Sequence, residues 1–396
     1  MPDTSDPIAL DHTMAQPHEL WSDLRQQCPV QPAGEYNGRE TFMVLRRDDV
    51  EAVLRDGATY SNAIHDELMG EVMGETMLGM DGQDHRDHRD LVAKAFRASA
   101  LEQWGTDLIE PTIHALLDRI APLGCADLVA DVTSRYPVQV IAGIVGVPVA
   151  DYERFQGWAD GITSIAIDPA GAKVASDELC DYLLPIVHDR RAHPRDDLVS
   201  DLVTAEIDGR RLTDDRILSF FRLLLPAGAE TTFRAMGNAL VALLTHPDVL
   251  ERVVDDRSLI SAVIEETLRW ETPVTIISRN TVADTEIAGC PIPAGASLML
   301  MTSSANRDPA HTDHADEFDI DRPLAHHLYF GTGRHQCLGM HLARLELRIG
   351  LDAILDRLPG LRLDPDAPPP VVEGFAFRSP TSIPVRFDAQ PARPAA

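Results

Sequence analysis

Positive charge is scarce in this chain: 35 Lys and Arg stand against 63 Asp and Glu, a formal net charge of -28. Nucleic-acid binders need basic faces for the phosphate backbone, so that class is excluded, and an acidic, self-repelling surface is expected. Cysteine is scarce too. The five present (Cys28, Cys125, Cys180, Cys290 and Cys337) are odd in number and widely spaced, with no C-x-x-C pair. That pattern excludes a disulfide framework and a zinc ribbon, and it suits a reducing cytoplasm. No low-complexity run, internal repeat or linker divides the 396 residues, so one domain spanning 1–396 is expected. The opening residues are polar, with Asp3, Asp6, Asp11 and His12, so neither a signal peptide nor a membrane span is expected there.

What is present is mainly helical patterning, with enough apolar residues (44%) for a large core. Asn37-Gly38 between short extended stretches signals a hairpin. A long helix is expected from Thr213, as N-cap, to about His246, where Pro247 stops it. A second helical stretch covers Leu259 to Trp270. Extended segments follow near Val274–Ile277 and Ser297–Met301, with a turn at Pro293-Ala294-Gly295. Ser61 to Met80 reads as irregular and carries Met69, Met73, Met77 and Met80; it is either a loop packed on the core or a mobile wall of an apolar pocket. Residues 388–396 read as a disordered tail.

The chemistry concentrates in four places. Phe330-Gly331-Thr332-Gly333-Arg334-His335-Gln336-Cys337-Leu338-Gly339 sets one cysteine in a glycine-containing turn just before a helical pattern. Glycine admits dihedrals closed to other residues, and a helix N-terminus favours thiolate over thiol. An anionic sulfur held this way suits the axial position of a haem iron; a cysteine taken alone reads first as inert core, and it is the whole string that favours the ligand. Pro226-Ala227-Gly228-Ala229-Glu230-Thr231-Thr232 places residues of low helix propensity inside the long helix. That is either a packing kink or a site for proton transfer. Glu266 and Arg269 lie three apart on one helix face. His85-Arg86-Asp87-His88-Arg89 alternates charge along another helix, and zinc ligation there lacks a third ligand.

Taken together, these strings resemble the cytochrome P450 superfamily of the bacterial type, from the hairpin near Asn37 to about Val385. The resemblance implies a mainly α fold with small β-sheets, a triangular prism with haem b between the long central helix and the cysteine loop. It implies Cys337 as axial iron ligand, with the N–H groups of Leu338 and Gly339 on its sulfur and Phe330 and Gly331 against the porphyrin. It assigns His85, Arg89, Arg279 and His335 to the haem propionates. Ala227 and Gly228 would border the oxygen groove, and Glu230 and Thr231 would relay protons to the dioxygen being reduced. Glu266 and Arg269, completed by Arg322, would be a buried structural network. Met340-His341 departs from the usual pattern, on the side where electrons enter.

The architecture so implied has an apolar pocket lined by Met77 of the Met69–Met80 stretch, Leu224, Leu225, Ala227 and Ala229 of the long helix, Val274, Ile276, Phe375 and Phe377, with Gly161–Ile167 as part of a lid. The expected reaction is insertion of one atom of O2 into a hydrophobic small molecule by a monomeric cytoplasmic monooxygenase. No reductase is fused to the chain as read, so electrons would come from a ferredoxin, docking near Lys94, Arg97, Arg334, Arg344 and Arg348. A peroxide-driven peroxygenase and a non-catalytic haem-thiolate sensor are the alternatives.

Overall fold

Short apolar alternations at Thr41–Val44 and Ser297–Met301 build a sheet around which one half of the molecule packs. The computed structural model describes residues 14–36, 38–93, 96–195, 197–323 and 326–393. These are mainly helical, with short strands gathered into small sheets. Packing divides the chain into two compact units interleaved in sequence. The described residues of one fall within Met1–Ile64, Gly237–Cys337 and Pro370–Thr381; those of the other fall within His65–Met236, Leu338–Pro369 and Ser382–Ala396.

In the first unit, the sheet runs Val30–Tyr36, Arg39–Val44, Ser297–Met301, Ile276–Thr281, Tyr60–Ser61. The expected hairpin pairs Val30 with Val44 and Tyr36 with Arg39; Asn37 itself lies outside the described residues. Successive residues of a strand face opposite sides, and the core follows that rule. Val44, Leu298 and Leu300 join Val50, Val53 and Leu54 in one cluster. Met43 and Met301 join Trp21, Leu45 and Phe375 in another. A further hairpin, Thr285–Ile287 with Cys290–Ile292, has no counterpart in the sequence reading.

The second unit is helical. Most of the long helix, Asp214–Thr245, belongs to it and starts where Thr213 Oγ1 accepts from Arg216 N (3.2 Å); a separate helix begins at Pro247, in the first unit. The Met340–Arg357 helix crosses close by. Gly350 leaves no room for a Cβ against Met236 and Tyr136, and the Tyr136 hydroxyl donates to Glu346 O (3.1 Å).

Two expectations are corrected. Ser61–Met80 is not irregular throughout: Ile64–Met73 is a helix, with Ile64 and Val72 on one face and both buried. Gly74, left-handed at φ 71°, ends it. The C-terminal tail is held as far as Arg393. Asp388 N donates to Pro359 O, Gln390 N to Ala121 O, and Arg357 Nη2 to Pro391 O. Main-chain and side-chain partners supply what the Pro- and Ala-rich composition cannot.

Candidate functional site

The cysteine loop folds back on itself. Cys337 N donates to Phe330 O (2.8 Å) and Gln336 N to Gly333 O (3.2 Å). Gly333 is required twice over: its φ is +79°, and a Cβ there would sit 2.7 Å from Leu54 O. Phe330 is buried, its ring 4.7 Å from Tyr329 and 5.8 Å from His327. The Met340–Arg357 helix follows directly, with Gly339 as N-cap. Cys337 is exposed, unlike Cys180. That thiol is buried, which raises its pKa, and it accepts from Arg222 Nε (2.9 Å). Cys180 thus has the setting of an inert core thiol, and Cys337 is the open one of the two.

A buried ion network anchors the segment leading to this loop. Arg269 donates to both oxygens of Glu266 (2.8 and 2.7 Å), and to the carbonyls of Ala315 (2.7 Å) and Glu317 (3.0 Å). Glu266 Oε1 also accepts from Asp319 N (3.0 Å) and lies 3.5 Å from Arg322 Nε. Of the three residues singled out from sequence, Arg269 and Arg322 thus both reach Glu266. Their donors close off the chain between Asn306 and Arg322, so the network is a fastening.

Among the residues assigned to the propionates, Arg279 is buried on the Ile276–Thr281 strand and His335 is half-buried, both in the first unit. His85, buried, and Arg89, half-buried, sit one helical turn apart on Gly82–Ala93 in the second. His88 is turned to backbone, its Nδ1 2.8 Å from Asp84 O.

On the long helix, Thr231 Oγ1 donates to Ala227 O (2.7 Å). Ala227 is exposed, Thr231 is half-buried, and Ala229 and Thr232 are buried, so this stretch has one open face. Gly228 meets the neighbouring Tyr136–Val145 helix: a Cβ would lie 3.2 Å from Ile141 Cδ1. That contact is the helix crossing the kink reading anticipates. Glu230 Oε2 accepts from Arg234 Nη2 (2.7 Å) and Nε (3.2 Å). The pKa of Asp160, on the Tyr152–Thr163 helix, is raised by desolvation first and then by the Glu230 charge. Sequence reading missed this Arg234–Glu230–Asp160 group, although the four-residue spacing of Glu230 and Arg234 already signals the pair.

The residues expected in the pocket differ in exposure. Leu225 is buried at 2% exposure. It lies two residues before Ala227, about 200° around the helix and so away from the open face. Leu223 and Leu224, half-buried, share the Ala227 side. Val274 and Ile276 are half-buried while Thr275 between them is buried, and Val274 bridges to Phe377, which is 46% exposed. Phe375 is core, packed with Trp21. Met77 is half-buried.

Among the described residues no group of three His, Cys, Asp or Glu side chains is placed to hold a metal ion. A single exposed cysteine in a glycine turn fits a metal whose remaining in-plane ligands come from a macrocycle. Arg279 and His335, in the same unit as that cysteine, fit the carboxylates such a macrocycle carries. The residues thus fit haem, and the helical fold with its cysteine loop defines a haem-thiolate protein.

The sequence profile described as Cytochrome P450 matches residues 168–382. The mycinamicin IV hydroxylase/epoxidase of Micromonospora griseorubida is 36% identical over 375 residues, 92% of this chain and 94% of that one. The solved structure of cytochrome P450 CYP109Q5 from Chondromyces apiculatus superposes with a TM-score of 0.87 at 34% identity, covering 96% of this chain and 97% of that one. CYP109E1 from Bacillus megaterium, solved in complex with testosterone, gives 0.85 at 31% identity, covering 94% and 99%. The chain belongs to the cytochrome P450 family. It has that family's fold, binds haem b, and is a haem-thiolate monooxygenase that uses O2 on a small molecule. Among the described residues no helix is long and apolar enough to cross a membrane.

Proposed function

We propose that this monooxygenase hydroxylates or epoxidises a bulky apolar molecule with electrons from a separate ferredoxin, as a cytoplasmic monomer. The observation that carries the substrate class is the apolar strip formed by half-buried Val274 and Ile276 beside exposed Phe377. A contiguous apolar surface of this kind is used for binding. The relatives act in the same sense, one named for mycinamicin IV and one holding testosterone.

Haem, when bound, supplies the iron that activates dioxygen. The chain's own residues do the rest. Cys337 would hold the iron through its sulfur, and the Met340–Arg357 helix that starts just after it in the chain would favour the thiolate. Arg279, His335, His85 and Arg89 would hold the propionates, and Phe330, Gly331, Leu338 and Gly339 would frame the proximal side. Thr231 spends its hydroxyl proton on Ala227 O, so toward the site its oxygen acts as an acceptor that orients a water. Glu230, fixed by Arg234, is the acid that passes protons toward that water. Arg97 and Arg348, both exposed, and Arg344 lie on the second unit, and exposed Arg334 on the first. They would meet the acidic ferredoxin; Lys94 lies outside the described residues.

The test is Thr231→Ala with ferredoxin, reductase and a substrate found by spin-state titration, testosterone first. A monooxygenase loses coupling and leaks reducing equivalents to peroxide. Unchanged coupling, with turnover supported by peroxide alone, would instead establish a peroxygenase.

A further inference from the structure

We infer that the N-terminal helix (Pro17–Gln27) and the two residues ahead of it brace the Phe375–Phe377 turn. In this arrangement His18 and Trp21 act as positioning residues for substrate selectivity. The inference rests on the reading above that this turn faces substrate.

The turn is gripped from two sides. On one side the strand segment holds it: Thr275 N donates to Ala376 O (3.0 Å), and Val274 bridges to Phe377. On the other side the grip runs through Arg378, which is 1% exposed. Its Nη1 donates to Gly374 O (2.7 Å) and Met14 O (2.8 Å), and its Nη2 to Val372 O and Ala15 O (both 3.2 Å). Gly374 N also donates to Met14 O (3.2 Å). One guanidinium thus ties the backbone before the turn to the backbone before the helix.

Arg378 is oriented by Glu271, whose Oε1 accepts from its Nε (2.6 Å). The other oxygen, Oε2, lies 3.0 Å from His18 Nε2, inside the N-terminal helix. Asn238 Nδ2 closes the arrangement by donating to Glu271 O (2.9 Å) and Arg378 O (3.2 Å). The His18 ring meets Trp21 edge-on, centroids 5.3 Å apart. Trp21 is 2% exposed and packs in the cluster that contains Phe375. The apolar and ionic contacts of the helix therefore converge on the two ends of one turn. The contacts of His18 and Trp21 described above run to Glu271 and to the cluster around Phe375, so losing them should alter the shape of the pocket wall and leave iron ligation intact.

The test uses the haem-loaded protein and two nitrogen ligands read by Soret shift, imidazole and 4-phenylimidazole. Both ligate the iron, but only the second pushes an apolar ring into the pocket, so the ratio of their dissociation constants reports pocket shape. His18→Leu, which removes the N–H on Glu271, should change that ratio by about fivefold, the equivalent of one lost hydrogen bond. Imidazole affinity and haem content should hold. His18→Gln, which keeps a donor, should stay within about twofold of the parent. Phe377→Ala must also move the ratio. If it does and His18→Leu does not, the brace is wrong while the pocket reading stands. If neither moves it, the turn does not face ligand and both fall. Parallel loss of imidazole affinity and haem at constant ratio would make His18 merely structural and overturn the inference.

Discussion

Arg269→Met tests the buried fastening ahead of the cysteine loop. The substitution keeps an unbranched apolar stem but deletes both bonds to Glu266 and those to the carbonyls of Asn306, Ala315 and Glu317. Glu266 is then left buried at 4% exposure, with Arg322 at 3.5 Å as its nearest cation. Removing one partner of a buried pair costs about 3–5 kcal/mol, because the other charge is stranded in a poorly solvated site. Unfolding entropy is ~2.1 cal/mol/K per residue. For a chain of this length a loss of about 4 kcal/mol therefore lowers Tm by about 5 °C. The control is Arg252→Met. That side chain pairs with Asp321 at 2.6 Å, but both partners are well exposed, so little change is expected. The assay is thermal unfolding followed by far-UV circular dichroism, alongside the haem-to-protein absorbance ratio. Equal and small shifts for the two variants would refute the claim that the network fastens the loop.

Acid stability follows from the same unit. Burial opposes ionisation of Glu271, yet His18, Arg378 and Arg307 outweigh it and bring its pKa down to about 2. Desolvation by burial lowers the pKa of His18. Both groups bind fewer protons folded than unfolded, so both contribute stability that is lost as pH falls, His18 below its ordinary value of 6.5 and Glu271 from about 4.5 toward 2. Denaturant titrations should show His18→Gln removing the upper part of that decline; an identical pH profile would contradict it. Gly228→Val should destabilise by about 1–3 kcal/mol through overpacking against Ile141, and Ile141→Ala should recover part of the loss in a double-mutant cycle. Glu346 is buried, its Oε2 has no hydrogen-bond partner among the described residues, and burial holds its pKa well above the usual carboxylate value. Its contribution therefore falls as pH rises above its ordinary value of 4.5. Glu346→Met should raise Tm at pH 8, and a marked drop would show that the carboxyl is needed.

Sequence carried the features whose cause is local. The Thr213 cap, the stop at Pro247, the hairpin around Gly38 and the glycine turn before Cys337 each depend on residues a few positions apart. Glu266–Arg269 was legible as a pair for the same reason. Its third member, Arg322, followed from the family resemblance, because nothing in a helical spacing reaches 53 residues along the chain. What stayed hidden depends on packing between distant segments. Asp160 beside Glu230 requires two helices to meet, and Glu271 held by His18 and Arg378 spans almost the whole chain. Leu224 and Leu225 were both expected in the pocket from the family architecture; the helical period puts Leu224 with Ala227 on the open side and buries Leu225. The tail was read as disordered on composition, whereas its order comes from partners at Ala121, Arg357 and Pro359.

The central proposal is that Cys337, as thiolate, would hold the haem iron. It is tested most directly by the absorption spectrum of the purified protein, reduced and exposed to carbon monoxide. The account predicts a strongly red-shifted Soret band that is lost in Cys337→His. An unshifted band in the parent protein would mean a neutral thiol or histidine ligand. A red-shifted band surviving in Cys337→His would place the ligand elsewhere, and either result would contradict the site described.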